Sequence, residues 1–242
     1  MQIAQAKELN ITVGFSHFPP WQITKKGDLV GGIDKMVLNA LQEELASEHD
    51  IRLHINYYYC PLKRCLAMMQ TGQLDMKTGL LRQPEREWYV YFITPPYQRY
   101  VHKALYVHKD GPSNISTYNA MKTLKIGVTR ASVNFPEFDQ DKLIEKVKVN
   151  GTRNGLRMLS AKRFDAFLGS ELVTDYFIRK DRLGKEIRKA SYKYKKENPG
   201  YFGIAKKSPL SQYLPQLRSA MKAIVEKGYV QLAEDQVLFF SP

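Results

Sequence analysis

The chain lacks most of the features that would assign it at a glance. Only two of its 242 residues are cysteine and five are histidine. Both cysteines lie in CPLKRC, with four residues between them where redox and zinc pairs have two, and no His/Cys cluster completes a metal site. From the residues alone, Cys60 and Cys65 read either as a small disulfide at a helix entrance or as two buried thiols. No apolar run approaches the roughly 18 residues of a membrane span, so no transmembrane helix is expected. Acidic side chains are also in short supply, 24 against 37 Lys and Arg, for a net charge of +13 and a pI near 9.6. That balance suits acidic partners. The basic residues are nonetheless spread along the chain, with one cluster in SYKYKKENPGY, and no helix-turn-helix, zinc-finger or RNA-stacking signature accompanies them. A basic solvated surface is expected, not a nucleic-acid interface. The opening MQIAQAKELNITV has neither a basic n-region nor an apolar h-region, but Ala4-Gln5-Ala6 resembles the tail of a cleavage site. We expect a signal peptide to have been removed.

What is present is the material of a soluble α/β protein. With 43% hydrophobic residues, the chain can bury a sizeable core as one large domain or two lobes of about 100 residues. In NITVGF, Ile11, Val13 and Phe15 alternate as a strand, and HFPPWQ breaks it into a loop whose rings have no periodic partner to pack against. After Gly31-Gly32, Asp34 is placed to cap a helix with Met36, Val37, Ala40, Leu41 and Leu45 on one face. IRLHINYYY alternates again. Leu62, Cys65, Leu66 and Met69 follow helical spacing, which predicts a helix over 61–71 that stops at Gly72. DMKTGLL is then a short strand, and strands alternating with helices argue for parallel α/β units.

The second half echoes the first. Shifted by 90 residues, LAMMQTGQLDMKTG (66–79) lies over LRMLSAKRFDAFLG (156–169), with Leu66/Leu156, Met68/Met158, Asp75/Asp165 and Gly79/Gly169 identical. The reading is two lobes of similar design. YVHKALYVHK (100–109) serves as an extended connector and GYFGIAKK (200–207) brings the chain back, so one lobe takes 1–98 and 201–242 and the other 99–200. QYLPQLRSAMKAIVEKGYVQLAEDQ supplies closing helices. Two such lobes imply a cleft, in which ligands meet the residues that follow the strands. These are Thr78, Gly79, Leu80 and then Arg86 in the first lobe. In the second they are Arg130 and Ser132 in TRAS after LKIGV, and Gly169-Ser170-Glu171 after FDAFL. Arg86 reads either as a guanidinium fork for a carboxylate or as a surface-helix arginine paired with Glu85 or Glu87. No Ser-His-Asp, Cys-His or metal constellation is visible, and the histidines are scattered.

Taken in order, GGIDKMVLNAL, CLAMMQTGQLD, RQPEREWYVYFITPPY, LKIGV and RFDAFLGSE resemble the family 3 periplasmic solute-binding proteins, the polar amino-acid type that serve ABC importers. The likeness covers about Leu9 to Phe240. It implies a type II periplasmic binding fold, two lobes of mixed sheet flanked by helices and joined by two hinge crossovers, exported to the periplasm. It also implies a small-molecule ligand, an amino acid or other carboxylate, an ABC permease as partner, a monomer, and no cofactor or metal. Phe18 and Tyr59 fall where the family places ligand-sandwiching aromatics, with Trp21 beside them. Arg86 falls where the family holds a carboxylate, and Ser132 where a second-lobe hydroxyl meets it, with Arg130 nearby. Export favours the disulfide between Cys60 and Cys65. The sequence departs from the family at Leu80 and Leu81, where small hydroxyl residues are common. It departs again at Ser170, where an acid that holds the ligand's ammonium is expected; Glu171 follows it. Ser170 reads as a helix N-cap whose hydroxyl is occupied by backbone N–H groups, which leaves Glu171 as the carboxylate of that edge. Two further readings remain, a cyclohexadienyl-dehydratase-like enzyme on the same fold and the sensor domain of a receptor.

Overall fold

In a computed structural model that describes residues 6–130 and 132–239, the chain divides into two compact units, Met1–Arg99 with Asn198–Val237 and Tyr100–Glu197 with Leu238–Pro242. Residues 4 and 5 of the Ala-Gln-Ala stretch, Ala131 of TRAS, and residues 240–242 lie outside the described residues.

The elements run β1 (Lys7–Phe15), β2 (Ile23–Lys25), β3 (Asp28–Gly31), α1 (Ile33–His49), β4 (Ile51–Tyr59), α2 (Leu62–Thr71), β5 (Met76–Leu81), α3 (Pro84–Glu87) and β6 (Val90–Phe92). Then follow β7 (Gln98–His108), β8 (Ile126–Thr129), α4 (Pro136–Gln140), β9 (Lys146–Val149), α5 (Thr152–Ser160), β10 (Ala166–Ser170), α6 (Glu171–Lys180) and β11 (Ile187–Ala205). Helices α7 (Leu214–Glu226) and α8 (Tyr229–Phe239) close the chain. The expected strands and helices form, and both connectors are strands, β7 and β11.

In the first unit, β4, β1 and β5 lie side by side and parallel, with Phe15 opposite Tyr59 and Val13 opposite Met76. The returning end of β11 pairs antiparallel with β5. In the second unit β9, β8 and β10 are likewise parallel and adjacent, and β7 pairs antiparallel with β10. Strand alternation divides the second unit's core in two. Leu105, Val107 and Leu168 pack on one face with Phe135 and Phe138, while Ala104, Tyr106 and Phe167 pack on the other with Leu156 and Leu159.

The 90-residue echo is physical. Asp75 donates its N–H to the Thr12 carbonyl at 3.0 Å, and its Oδ2 accepts the Thr12 N–H at 2.8 Å. Asp165 does the same to Lys125, at 2.9 and 2.8 Å. The turns before them match as well: Gly72 and Lys162 both take positive φ, +86° and +53°, and Gln73 and Arg163 both donate to a carbonyl five residues back, of Met68 and Met158. A carboxylate that reaches across to a neighbouring strand's backbone fixes helix, turn and parallel strand in one register. Asp75 gains one more partner, since its Oδ1 accepts the Ser208 hydroxyl at 2.7 Å.

Helix α1 departs from expectation at its start. Its N-cap is Gly32, at φ +107°, and no side chain caps it. The N–H groups of Ile33 and Asp34 go instead to the carbonyls of Pro20 and Trp21 at 3.1 and 3.0 Å. A Cβ at Gly32 would stand 2.3 Å from the Trp21 oxygen, so only glycine fits. Asp34 is thereby inside the first turn and buried, and Leu38, not Met36 or Ala40, completes the buried face.

Cys60 and Cys65 are joined by a disulfide in the apolar cluster with Met69, Leu74 and Leu80, tying the end of β4 to the first turn of α2.

Two outcomes are expected. Asp75→Ala and Asp165→Ala should each cost about 1 to 3 kcal/mol, with Asp75→Ala the larger because Ser208 also loses its acceptor; calorimetric melting of both variants checks the order. Protein denatured without reductant should show no free thiol. Closing so short a loop should contribute about 2 kcal/mol by chain entropy, read as a lower Tm after reduction.

Candidate functional site

In each unit the residues after the parallel strands gather at the strands' C-terminal ends, where α/β sheets characteristically take ligands. In the first unit this edge is organised by a carboxylate hidden under it. Asp34 is 2% exposed and accepts three hydrogen bonds of 2.6 Å, from Gln22 Nε2 and the Thr78 hydroxyl on Oδ2 and from the Tyr97 hydroxyl on Oδ1. Gln22 Nε2 also donates to Thr78 Oγ1 at 2.9 Å, and its Oε1 accepts the Ser16 N–H at 2.8 Å. Residues 16–22 are thus bolted to β5 and α1 through one amide. Lys77, 4% exposed, donates to the Thr78 carbonyl at 3.2 Å; burial pushes its amine down and the Asp34 charge opposes that shift. Burial, and then the neighbouring Asp34 charge, lift the Tyr97 phenol well above its ordinary range, so it stays a donor.

This network accounts for several residues singled out in the sequence. Trp21 corrects the expectation of a ring with nothing to pack on: it is 6% exposed and meets Tyr97 edge to face at 6.1 Å. The Thr78 hydroxyl is spent on Asp34. Gly79, at φ +69°, has the Tyr97 hydroxyl and Asp34 Oδ2 at 3.6 and 3.7 Å from where a Cβ would be. The Leu80 side chain is in the core with Cys65 and Val90, because it points to the opposite side of β5 from Gly79 and Leu81. Three side chains remain outward: Phe18 and Tyr59, 57% and 51% exposed, and Arg86. Phe18 is held by paired backbone hydrogen bonds with Gln22, at 3.0 and 2.9 Å, and Tyr59 ends β4 edge-on to Phe15. Arg86, on the single-turn α3, donates from Nη1 to the Leu81 carbonyl at 2.7 Å. Glu87 pairs instead with Arg82 at 2.7 Å.

In the second unit Ser132 donates its hydroxyl to the Thr129 carbonyl at 2.7 Å, and the Arg130 N–H is taken by the Val149 carbonyl at 2.8 Å, leaving its side chain exposed. Ser170 occupies the N-cap position of α6, but its side chain makes no capping bond, contrary to expectation; the Ser170 carbonyl instead accepts the Thr174 hydroxyl at 2.7 Å. Glu171 is held by Lys189 and Lys193 at 2.8 and 2.6 Å. Burial alone would raise its carboxyl, yet the two lysines bring it below the ordinary carboxylate range. The SYKYKKENPGY cluster is likewise drawn into internal contacts: Lys195 lies 3.7 Å over the Tyr100 ring and Lys196 reaches the Val133 carbonyl. Among the described residues no group of three His, Cys, Asp or Glu is arranged to hold a metal, and no helix is long and apolar enough to cross a membrane.

Sequence reasoning missed the hub. Its only signal was chemical type, an Asp, a Gln and a Thr spaced 12 and 44 residues from the Asp, which no periodicity connects. Asp34→Asn should cost about 3 to 5 kcal/mol, since it strands the buried Lys77 ammonium and places an N–H where only acceptors fit. Adding Lys77→Met should restore part of that loss, and urea denaturation of the four members of the cycle reads the coupling.

Several solved structures share this architecture. The second substrate-binding domain of a proposed amino acid ABC transporter from Streptococcus pneumoniae aligns with a TM-score of 0.74 at 19% identity, over 95% of this chain and 100% of that one. The L-cystine solute receptor of Neisseria gonorrhoeae, unliganded and open, aligns at 0.73 with 21% identity over 97% and 94%. The periplasmic VFT2 domain of Bordetella pertussis BvgS aligns at 0.66 with 15% identity over 96% and 94%. At these identities the likeness establishes the fold, the type II periplasmic binding fold. No curated protein matches the chain. The family of bacterial extracellular solute-binding proteins, family 3, matches residues 11–238, nearly all of the described chain with its two parallel three-strand layers and their loaded C-terminal edges. The chain belongs to the bacterial extracellular solute-binding proteins, family 3.

Proposed function

We propose that the protein binds a small carboxylate-bearing solute, amino-acid-like in size, in the periplasm and presents it to an ABC importer. The observation that carries this reading is the outward face of the first unit's C-terminal edge. Two large aromatic rings, Phe18 and Tyr59, stand more than half exposed on backbone that is rigidly pinned. Exposed rings forfeit the transfer free energy that burial would supply, about 25 cal/mol per Å², and a solute stacked on them recovers it. Arg86 sits beyond the end of β5 in the same loop set, steadied through one nitrogen by the Leu81 carbonyl. Its remaining N–H donors match the two oxygens of a carboxylate.

Supporting the rest of the reading, the Cys60–Cys65 disulfide suits an oxidising compartment, and the amino acid transporter domain from S. pneumoniae shares the fold along its whole length. We read the protein as a monomeric binder and not as a dehydratase-like catalyst. A general acid at neutral pH needs a raised carboxyl, and Glu171, the acid available at the second unit's edge, is pushed the other way by two lysines. The sensor domain reading is supported by the likeness to a histidine kinase sensor domain that itself resembles periplasmic binding proteins, a likeness of fold.

Arg86→Lys should weaken the bound solute by about tenfold or more, because the ammonium keeps the charge and loses the paired geometry, while the unliganded Tm stays within a degree or two of wild type. Native mass spectrometry of the purified protein, followed by calorimetry with amino acids, dicarboxylates and aromatic acids, identifies the solute and measures the change. Equal affinity in the two proteins would return Arg86 to a surface role.

A further inference from the structure

The antiparallel pairing of β7 with β10 sets Ser170 directly opposite Lys103. Directly opposed residues share a sheet face, here the face on which Leu105 and Leu168 meet Phe135 and Phe138. Lys103 is 8% exposed, and among the described residues its amine has neither a hydrogen-bond acceptor nor an ion-pair partner. The charges that reach it are Lys196, which repels it, and Asp139, which attracts it. Both Asp139 oxygens are already engaged by Asn134, from its backbone N–H at 2.9 Å and its Nδ2 at 3.2 Å. Lys196 reaches only the Val133 carbonyl, at 3.5 Å. Asn134 itself is 3% exposed, with its Oδ1 buried and unpartnered. Two cations therefore face one carboxylate that is already satisfied, and burial pushes the Lys103 amine down further.

An ammonium held this deep without a counter-ion costs several kcal/mol, a cost that an arriving anion would offset. Glu171, the neighbouring carboxylate that would hold a ligand's ammonium at this edge, is taken by Lys189 and Lys193. The free charge beside Ser170 is positive.

We propose that Lys103 is an anion-binding residue at the second unit's edge, taking a carboxylate of an ammonium-free acid with Ser170 beside it. This rests on the solute-binding reading above and narrows it to a ligand class. Lys196 supplies supporting positive field, and the unpaired Asn134 oxygen accepts from a ligand hydroxyl where one is present.

The test is calorimetry on wild type, Lys103→Met and Lys103→Arg with succinate, glutarate and 2-oxoglutarate, set against aspartate, glutamate and arginine. Wild type should prefer a diacid over its amino counterpart by about tenfold or more, the value of one charge-assisted hydrogen bond. Lys103→Met should lose that preference and Lys103→Arg should keep most of it. If Lys103→Met fails to fold, the wild-type comparison of glutarate with glutamate still decides. Equal diacid affinity in wild type and Lys103→Met overturns the proposal. Binding of the ammonium-bearing acids alone also overturns it while leaving the solute-binding reading intact, and binding of none of the six removes both.

Discussion

Asp34 is the constraint around which the first unit is arranged. A carboxylate 2% exposed is tolerable only if donors replace the water it lost. Those donors come from three separate places in the chain: Gln22 from the loop after β1, Thr78 from β5 and Tyr97 from the segment before β7. Satisfying one charge therefore fixes the loop carrying Phe18 against the strand that leads to Arg86. Lys77 is drawn in as counter-charge, and Trp21 packs on Tyr97 above it. The rigidity of the outward aromatic edge is the consequence of a buried ion.

The second unit reaches a comparable architecture with a different balance of charge. Asp75 and Asp165 perform the same clamp, each exchanging hydrogen bonds with a backbone neighbour, Thr12 in β1 or Lys125 just before β8. The order of parallel strands is also the same in both units. Beyond that scaffold they diverge. The first unit buries an acid surrounded by donors, whereas the second leaves Lys103 without a carboxylate of its own and spends Glu171 on two exposed-side lysines.

The surplus of positive charge has a related explanation. The densest basic stretch, SYKYKKENPGY, is a strand, and its lysines are partnered within the second unit by Glu171, the Tyr100 ring and the Val133 carbonyl. A strand places successive side chains on opposite faces, so a run that reads as a patch in sequence is split between two surfaces.

The sequence by itself determined the elements and their order, the two extended connectors, the 90-residue repeat, and the family, because each of these is local: strand alternation, helical spacing, a glycine at a helix end, a motif in fixed spacing. It also marked Arg86, which follows a strand, while Phe18 and Tyr59 were marked by the family resemblance. Only the tertiary structure decided which side chains face inward. Trp21 lies in a loop with no period, yet Tyr97, 76 residues later, buries it; Thr78 and Leu80 follow the same strand, yet one is spent on Asp34 and the other packs in the core. Asp34 looked like a cap because Gly-Gly precedes it; the carbonyls of Pro20 and Trp21 had already satisfied the helix start. Ser170 opposite Lys103 is a matter of strand register. Register, burial and charge pairing depend on residues far apart in the chain, and the free energy of bringing them together is the quantity that no local pattern encodes.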